Sequence, residues 1–169
     1  GGDGIYLYDS PNCSVLDNNV NNNDLNGICV DYYSSNCSVS GNNINNNRKG
    51  IVLYGSPYCS VLDNNVNNTY GYRSMGIGLV DSPNCFVSGN KVTLSTTYGI
   101  FIDSSYNNVL RNNNMTGNHY NFAVSGDSLQ HYIQDIDASN TVDGKPMYYL
   151  VNQNNLTVDA STHPSIGYL

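Results

Sequence analysis

Two pairs of carboxylates are the first candidates for chemistry in this 169-residue chain: Asp9 with Asp31, and Asp81 with Asp103. The members of each pair lie 22 positions apart, close to the length of a repeat that runs through the sequence, so both pairs should fall on adjacent turns near one corner. Two carboxyl groups flanking a glycosidic bond supply the acid and the nucleophile or base of glycoside hydrolysis. Against that role, Asp9 and Asp81 open Asp-Ser-Pro corners, where aspartate is a common turn former. No basic residue repeats beside them, and the cations that a β-elimination lyase would need, Arg73 and Arg111, are isolated.

Beside these carboxylates the sequence sets out two outward rows, Tyr6, Cys29, Val52, Gly78, Phe101 and Tyr8, Asp31, Tyr54, Val80, Asp103. Rings offer apolar faces to the C–H faces of sugars, and carboxylates accept from sugar hydroxyls. A long face of this kind suits a long polysaccharide. Tyr70 and Tyr72, in a segment that interrupts the repeat, extend the same candidate surface. Tyrosine and valine are also simply good strand residues.

Soft and imidazole metal ligands are present but dispersed: His119, His131, His163, Met75, Met115, Met147 and five cysteines. No two histidines share a column, so neither a metal site nor a cofactor is expected. Cys13, Cys37, Cys59 and Cys85 occupy one inward column, where stacked Cα–Cβ bonds run parallel and do not lean together to form disulfides. They read as an interior ladder of thiols packing as small hydrophobes. Cys29, by strand parity, points outward and is expected to be an exposed thiol.

The elements that position these residues follow from self-similarity. Gly-Ile recurs at 4, 27, 50, 76 and 99, giving coils of about 23 residues with one step of 26. Each coil opens with an alternating strand whose inward residues are Ile5/Leu7, Ile28/Val30, Ile51/Leu53, Ile77/Leu79 and Ile100/Ile102. After a corner comes a second strand carrying the cysteine column, with Asn108 in the fifth place, and Val15, Val39, Val61, Val87 and Leu110. A third inward site is Val20, Ile44, Val66, Val92 and Met115. Two residues before it stands Asn in every coil, at 18, 42, 64, 90 and 113, which predicts a ladder of stacked amides. The preceding Asp17, Gly41, Asp63, Gly89 and Asn112 are types that tolerate positive φ.

Glu is absent and Ala and Gln occur three times each, so the strong helix formers are nearly missing. The fold class expected is all-β: a right-handed single-stranded parallel β-helix over residues 1–126, with an irregular C-terminal hairpin or β-arch, residues 127–169, packing on the same helix. Asp143-Gly144 marks the turn of that hairpin. One coil alone buries too little to order itself, so the coils must stack. The net charge of −7 and the scattered cations exclude a phosphate-neutralising stripe, hence nucleic acid is not a partner. No apolar run is long enough to span a membrane, and no leader is visible. The chain reads as an excerpt of a longer polypeptide with further modules.

The Gly-Ile-x-Leu coils followed by Asn-Thr-Val-Asp-Gly-Lys-Pro-Met-Tyr-Tyr-Leu, residues 140–150, resemble the NosD-type β-helix family, also called the carbohydrate-binding and sugar-hydrolysis (CASH) group. That resemblance implies a periplasmic, cell-surface or extracellular protein, and the founding member assists copper-site assembly in a nitrous oxide reductase. The residues and the resemblance together lead to a non-catalytic scaffold or adhesion module that binds polysaccharide on the outward face of its first sheet. The rivals are a polysaccharide-cleaving enzyme using the aspartates above and a copper-delivery accessory protein.

Overall fold

The computed structural model describes residues 2–169. It is a right-handed parallel β-helix of six coils whose strands stack into three sheets. The first sheet contains Ile5–Tyr8, Asn26–Asp31, Lys49–Tyr54, Met75–Val80, Tyr98–Asp103 and Tyr120–Ser125. The second contains Ser14–Leu16, Ser38–Ser40, Ser60–Leu62, Phe86–Ser88, Val109–Arg111 and Asp135–Ile136. The third contains Asn19–Asn21, Asn43–Asn45, Asn65–Asn67, Lys91–Thr93, Asn114–Thr116, Thr141–Val142 and Lys145–Pro146.

The register follows the repeat. Ile5, Ile28, Ile51, Ile77 and Ile100 are paired in one file that Phe122 continues, and from Ile28 to Ile100 the isoleucines of this file are fully buried. Branched aliphatics in the second and third sheets meet them in one continuous core. The asparagine ladder runs through six coils: Asn18 donates from Nδ2 to Asn42 at 3.0 Å, Asn42 to Asn64 at 2.9 Å, Asn64 to Asn90 at 3.0 Å, Asn90 to Asn113 at 2.9 Å and Asn113 to Asn140 at 2.8 Å. Each of the last five also donates to a backbone carbonyl of the preceding coil, which satisfies polar groups that a corner inside a core leaves orphaned.

The corner before the ladder has positive φ at Asp17, Gly41, Asp63, Gly89 and Asn112. Its alternation of Asp and Gly has a steric reason. A Cβ on Gly41 would meet the carboxylate of Asp17, and one on Gly89 would meet that of Asp63, so the aspartate of one coil lies over the glycine of the next.

The thiol column is present as expected, with all five cysteines free, but it is hydrogen-bonded as well as apolar. Backbone N–H groups of Cys13 and Cys37 donate to the sulfurs of Cys37 and Cys59 at 3.4 and 3.3 Å. Those two thiols in turn donate to the carbonyls of Ser10 and Ser34 at 3.2 and 3.3 Å. Where the column changes type, Asn108 and Gln134 accept the same backbone N–H bonds, from Cys85 and Asn108 at 2.8 and 2.9 Å, and Gln134 also donates to the Ser105 carbonyl at 2.7 Å. A thiol here is a short amide substitute.

The stack extends further than the sequence pattern does. After Tyr120–Ser125 a short 3-10 turn, Leu129–Tyr132, intervenes, and then Asp135–Ile136 and Thr141–Val142 pair with the fifth coil. Gln134, Ile136, Asn140 and Val142 thereby enter the thiol, valine, asparagine and third-site files. Asp143 and Gly144, both at positive φ, turn the chain into Lys145–Pro146, which pairs antiparallel with Thr141–Val142. Beyond it Tyr149 and Tyr168 pack edge-on against Phe122.

Candidate functional site

The outward face of the first sheet carries the two rows in register: Tyr6 beside Cys29, then Val52, Gly78, Phe101 and Ala123, and Tyr8 beside Asp31, then Tyr54, Val80, Asp103 and Ser125. Parallel strands bring these residues to roughly 4.8 Å from coil to coil. The Tyr6 hydroxyl donates to Asp31 Oδ2 at 2.9 Å, and this bond is the main reason its pKa is pushed up to about 12. Asp31 Oδ1 accepts from the backbone N–H of Tyr32 at 2.7 Å. Lys49 Nζ donates to the Tyr54 hydroxyl at 2.7 Å and lies over its ring.

One expectation is corrected here. Cys29 does point outward, but it is 2% exposed. On one neighbouring strand the Tyr6 hydroxyl reaches across to Asp31, and on the other Lys49 reaches along to Tyr54. Burial pushes the Cys29 thiol up to about 12. Parity fixes which face a residue occupies, and long neighbouring side chains decide whether water reaches it.

Two grooves divide the face. The first, of about 540 Å³, lies at the corner leaving the sheet and is lined by Asp31, Tyr32, Tyr33, Tyr54, Gly55, Pro57, Asp81 and Pro83. Tyr8 stacks on Tyr32 with ring centres 4.9 Å apart and planes within 6°, and Tyr33 stands edge-on to Tyr32 at 5.0 Å. The sequence reading missed Tyr32 and Tyr33, both at positive φ. Their signal was length: the corner from Asp31 to Cys37 holds one residue more than that from Tyr8 to Cys13. The second groove, of about 490 Å³, is lined by Lys49, Tyr54, Arg73, Met75, Val80, Tyr98, Phe101, Asp103 and the last strand of the sheet. Tyr98 stacks on Phe101 at 4.5 Å and on Tyr120 at 5.6 Å.

The segment from Thr69 to Met75 holds the insertion and is pinned at both ends, with Thr69 and Ser74 fully buried. Between them Tyr70 reaches back over two coils to donate to the carbonyl of Asn23 at 3.3 Å. Tyr72 stands exposed with the Arg73 guanidinium over its ring at 5.4 Å. Tyr6, Tyr8, Tyr54 and Phe101 thus share one sheet, and Tyr70 and Tyr72 lie on its flank.

Spacing brings each aspartate pair to one corner on adjacent coils: the backbone N–H of Asp9 donates to the carbonyl of Asp31 at 3.4 Å, and that of Asp81 to the carbonyl of Asp103 at 3.1 Å. Asp31 faces Tyr8, and Asp103 faces Val80. Asp9 and Asp81 sit one residue past the strands, at φ 46° and 48°. Asp31 and Asp81 line the tyrosine corner, while Asp103 lines the other groove.

Among the described residues no three of His, Cys, Asp or Glu converge. The inward thiols are engaged with carbonyls, and burial pushes Cys59 up to about 11 and Cys85 to about 12, away from the thiolate form that binds metal. His119 packs on Tyr120, and His163 on Tyr148.

Among solved structures, the periplasmic alginate epimerase AlgG, as a point variant, is similar with a TM-score of 0.64 at 18% identity, over 79% of this chain and 36% of that one. The full-length tailspike protein 2 of Escherichia coli O157:H7 bacteriophage CAB120 is similar with a TM-score of 0.53 at 17% identity, over 78% of this chain and 22% of that one. The chain therefore spans about a third of the epimerase's length. At such identities the likeness is one of fold. No curated protein matches the sequence. The family model described as periplasmic copper-binding protein (NosD) matches residues 1–132 and 67–159, and with nearly its whole length covered the chain belongs to the NosD family.

Proposed function

We propose that this chain is a non-catalytic module of the periplasm or cell exterior that binds polysaccharide along the outward face of its first sheet. The observation that carries the reading is the parallel stack of Tyr8 on Tyr32 beside the Tyr6–Asp31 hydrogen bond. Rings held by one another and carboxylates held by hydroxyls form a surface ordered before any ligand arrives, so little freedom is lost on binding. The file continues through Tyr54 to Phe101 and Tyr98, a length suited to several sugar units. Two similar folds belong to an alginate epimerase and to a phage tailspike, which is in keeping with a scaffold for extended glycans.

A glycan array followed by titration calorimetry tests the proposal. Binding is expected, with about tenfold or greater loss on Tyr8→Ala or Tyr32→Ala at unchanged melting temperature. Absence of binding to any polysaccharide, or binding indifferent to both substitutions, overturns it.

A further inference from the structure

The chain is acidic overall, yet three of its six cations, Arg48, Lys49 and Arg73, gather at one place. Lys49 and Arg73 line the groove over Tyr98 and Phe101 and also an adjoining one of about 290 Å³ with Arg48, Tyr72, Leu25 and Asn26. Among the described residues none of the three is in a salt bridge. Arg111, by contrast, is paired with Asp135 at 2.7 Å and Asp137 at 3.2 Å. Lys49 has a neutral partner, the Tyr54 hydroxyl, and Arg73 lies against the Tyr72 ring, so neither cation is held in an ion pair.

The repeat is modified to build this place. The three-residue gain in length falls between Thr69 and Met75, and it brings Arg73, at φ 53°, to the wall of the groove. The sheet gives way beneath it: a Cβ on Gly78 would meet Met75 Sδ at 2.6 Å, so the outward row drops to glycine where the Met75 side chain folds back along its own strand. Met75 is 6% exposed there and lines the groove with the cations. Tyr98 and Phe101 form the ring platform beside them, and Asp103 closes the far end as an acceptor for hydroxyls.

We propose that the polysaccharide recognised by this face is acidic, with the carboxylate of a uronate unit held by Arg73 and Lys49 while its ring lies on Tyr98 and Phe101. The proposal rests on the glycan reading above and adds to it the charge of the ligand. A planar guanidinium matches a carboxylate by two parallel hydrogen bonds, and the ammonium of Lys49 supplies a second charge that needs no new desolvation of a paired partner.

The test compares oligogalacturonate with its fully methyl-esterified form by calorimetry on the whole chain, with dextran sulfate as a polyanion control. The acid is expected to bind about tenfold or more tightly than the ester, and Arg73→Gln or Lys49→Gln should bring it to the level of the ester without moving the melting temperature. Equal binding of acid and ester, both lost in Tyr54→Ala, overturns the charge assignment and leaves the glycan reading standing. Binding of neither overturns the acidic-ligand assignment, and the glycan array then decides the glycan reading separately. Dextran sulfate binding as tightly as the uronate and insensitive to Arg73→Gln also overturns it, since the patch would then be an unspecific attractor of anions.

Discussion

Asn64 donates from Nδ2 to Oδ1 of Asn90 at 3.0 Å, across 26 residues of sequence that include the insertion. The link is indistinguishable in length from those between coils without an insertion. Extra residues are therefore expelled to the surface, and the Asn18–Asn140 and isoleucine files pass through undisturbed.

Asn64 accepts from the backbone and side chain of Asn42, and donates to Val39 and Asn90, at 2.9–3.0 Å. Replacing it by Ala leaves these buried groups without partners at about 1–3 kcal/mol each. Asn64→Ala is expected to lower the urea midpoint strongly, while Asn43→Ala, on an exposed row, should change stability by under about 0.5 kcal/mol. Equal midpoints for the two variants would show that the interior ladder contributes nothing.

At Gly50 a Cβ would run into the Gly76 carbonyl oxygen and Val66 Cγ1. The obstacle is backbone of the next coil, which cannot step aside. Gly50→Ala should cost about 1–3 kcal/mol or prevent folding, measurable as a drop in melting temperature. A variant that melts with the parent would mean the coils are spaced more widely here.

The thiols give a pH dependence. Cys29 and Cys85 are pushed up to about 12 and Cys59 to about 11 by burial. An unfolded thiol ionises in the ordinary range near pH 8.5, so above that point the unfolded state loses protons that the folded state keeps. The stabilisation is complete below that pH, declines as pH rises, and is gone above about 12. Urea midpoints measured from pH 7 to 10.5 should fall, and Cys29→Ser should flatten the fall. At pH 8, a thiol reagent is expected to modify half-buried Cys13 first and the four buried cysteines only on unfolding.

For the aspartates, the reading as a binding module predicts no release of reducing ends from any polysaccharide that binds, in the parent chain or in Asp103→Asn and Asp81→Asn. Reducing-sugar assays after prolonged incubation check this. Release that disappears in Asp103→Asn would establish catalysis in its place.

What the sequence made legible was whatever repeats. Isoleucine, valine, cysteine and asparagine recur at fixed offsets, and one register follows from all four. A second amide file, Asn23 donating to Asn47 at 2.8 Å and Asn118 accepting from Ser95, was hidden because Thr69 and Ser95 interrupt it. The second and third strands of the sixth coil escaped because Gln134 takes a place held by cysteine and a 3-10 turn lengthens the approach to it. The site was legible in its two rows but not in its relief. Cys29 lies under neighbours two coils apart in sequence, and the grooves depend on Tyr32, Tyr33 and Arg73, which depart from the repeat.

In the buried asparagine file each side-chain amide from Asn18 to Asn113 donates to the amide oxygen of the following coil. The file thus has a direction, and each completed coil presents the next with a row of donors whose acceptors have yet to arrive. Assembly from the amino end would be templated, every newcomer being checked for an oxygen at one position before it docks. Under tension the same arrangement should unravel from its ends one turn at a time, because each boundary is a similar zipper, with the Tyr70–Asn23 bond as a tie across two coils.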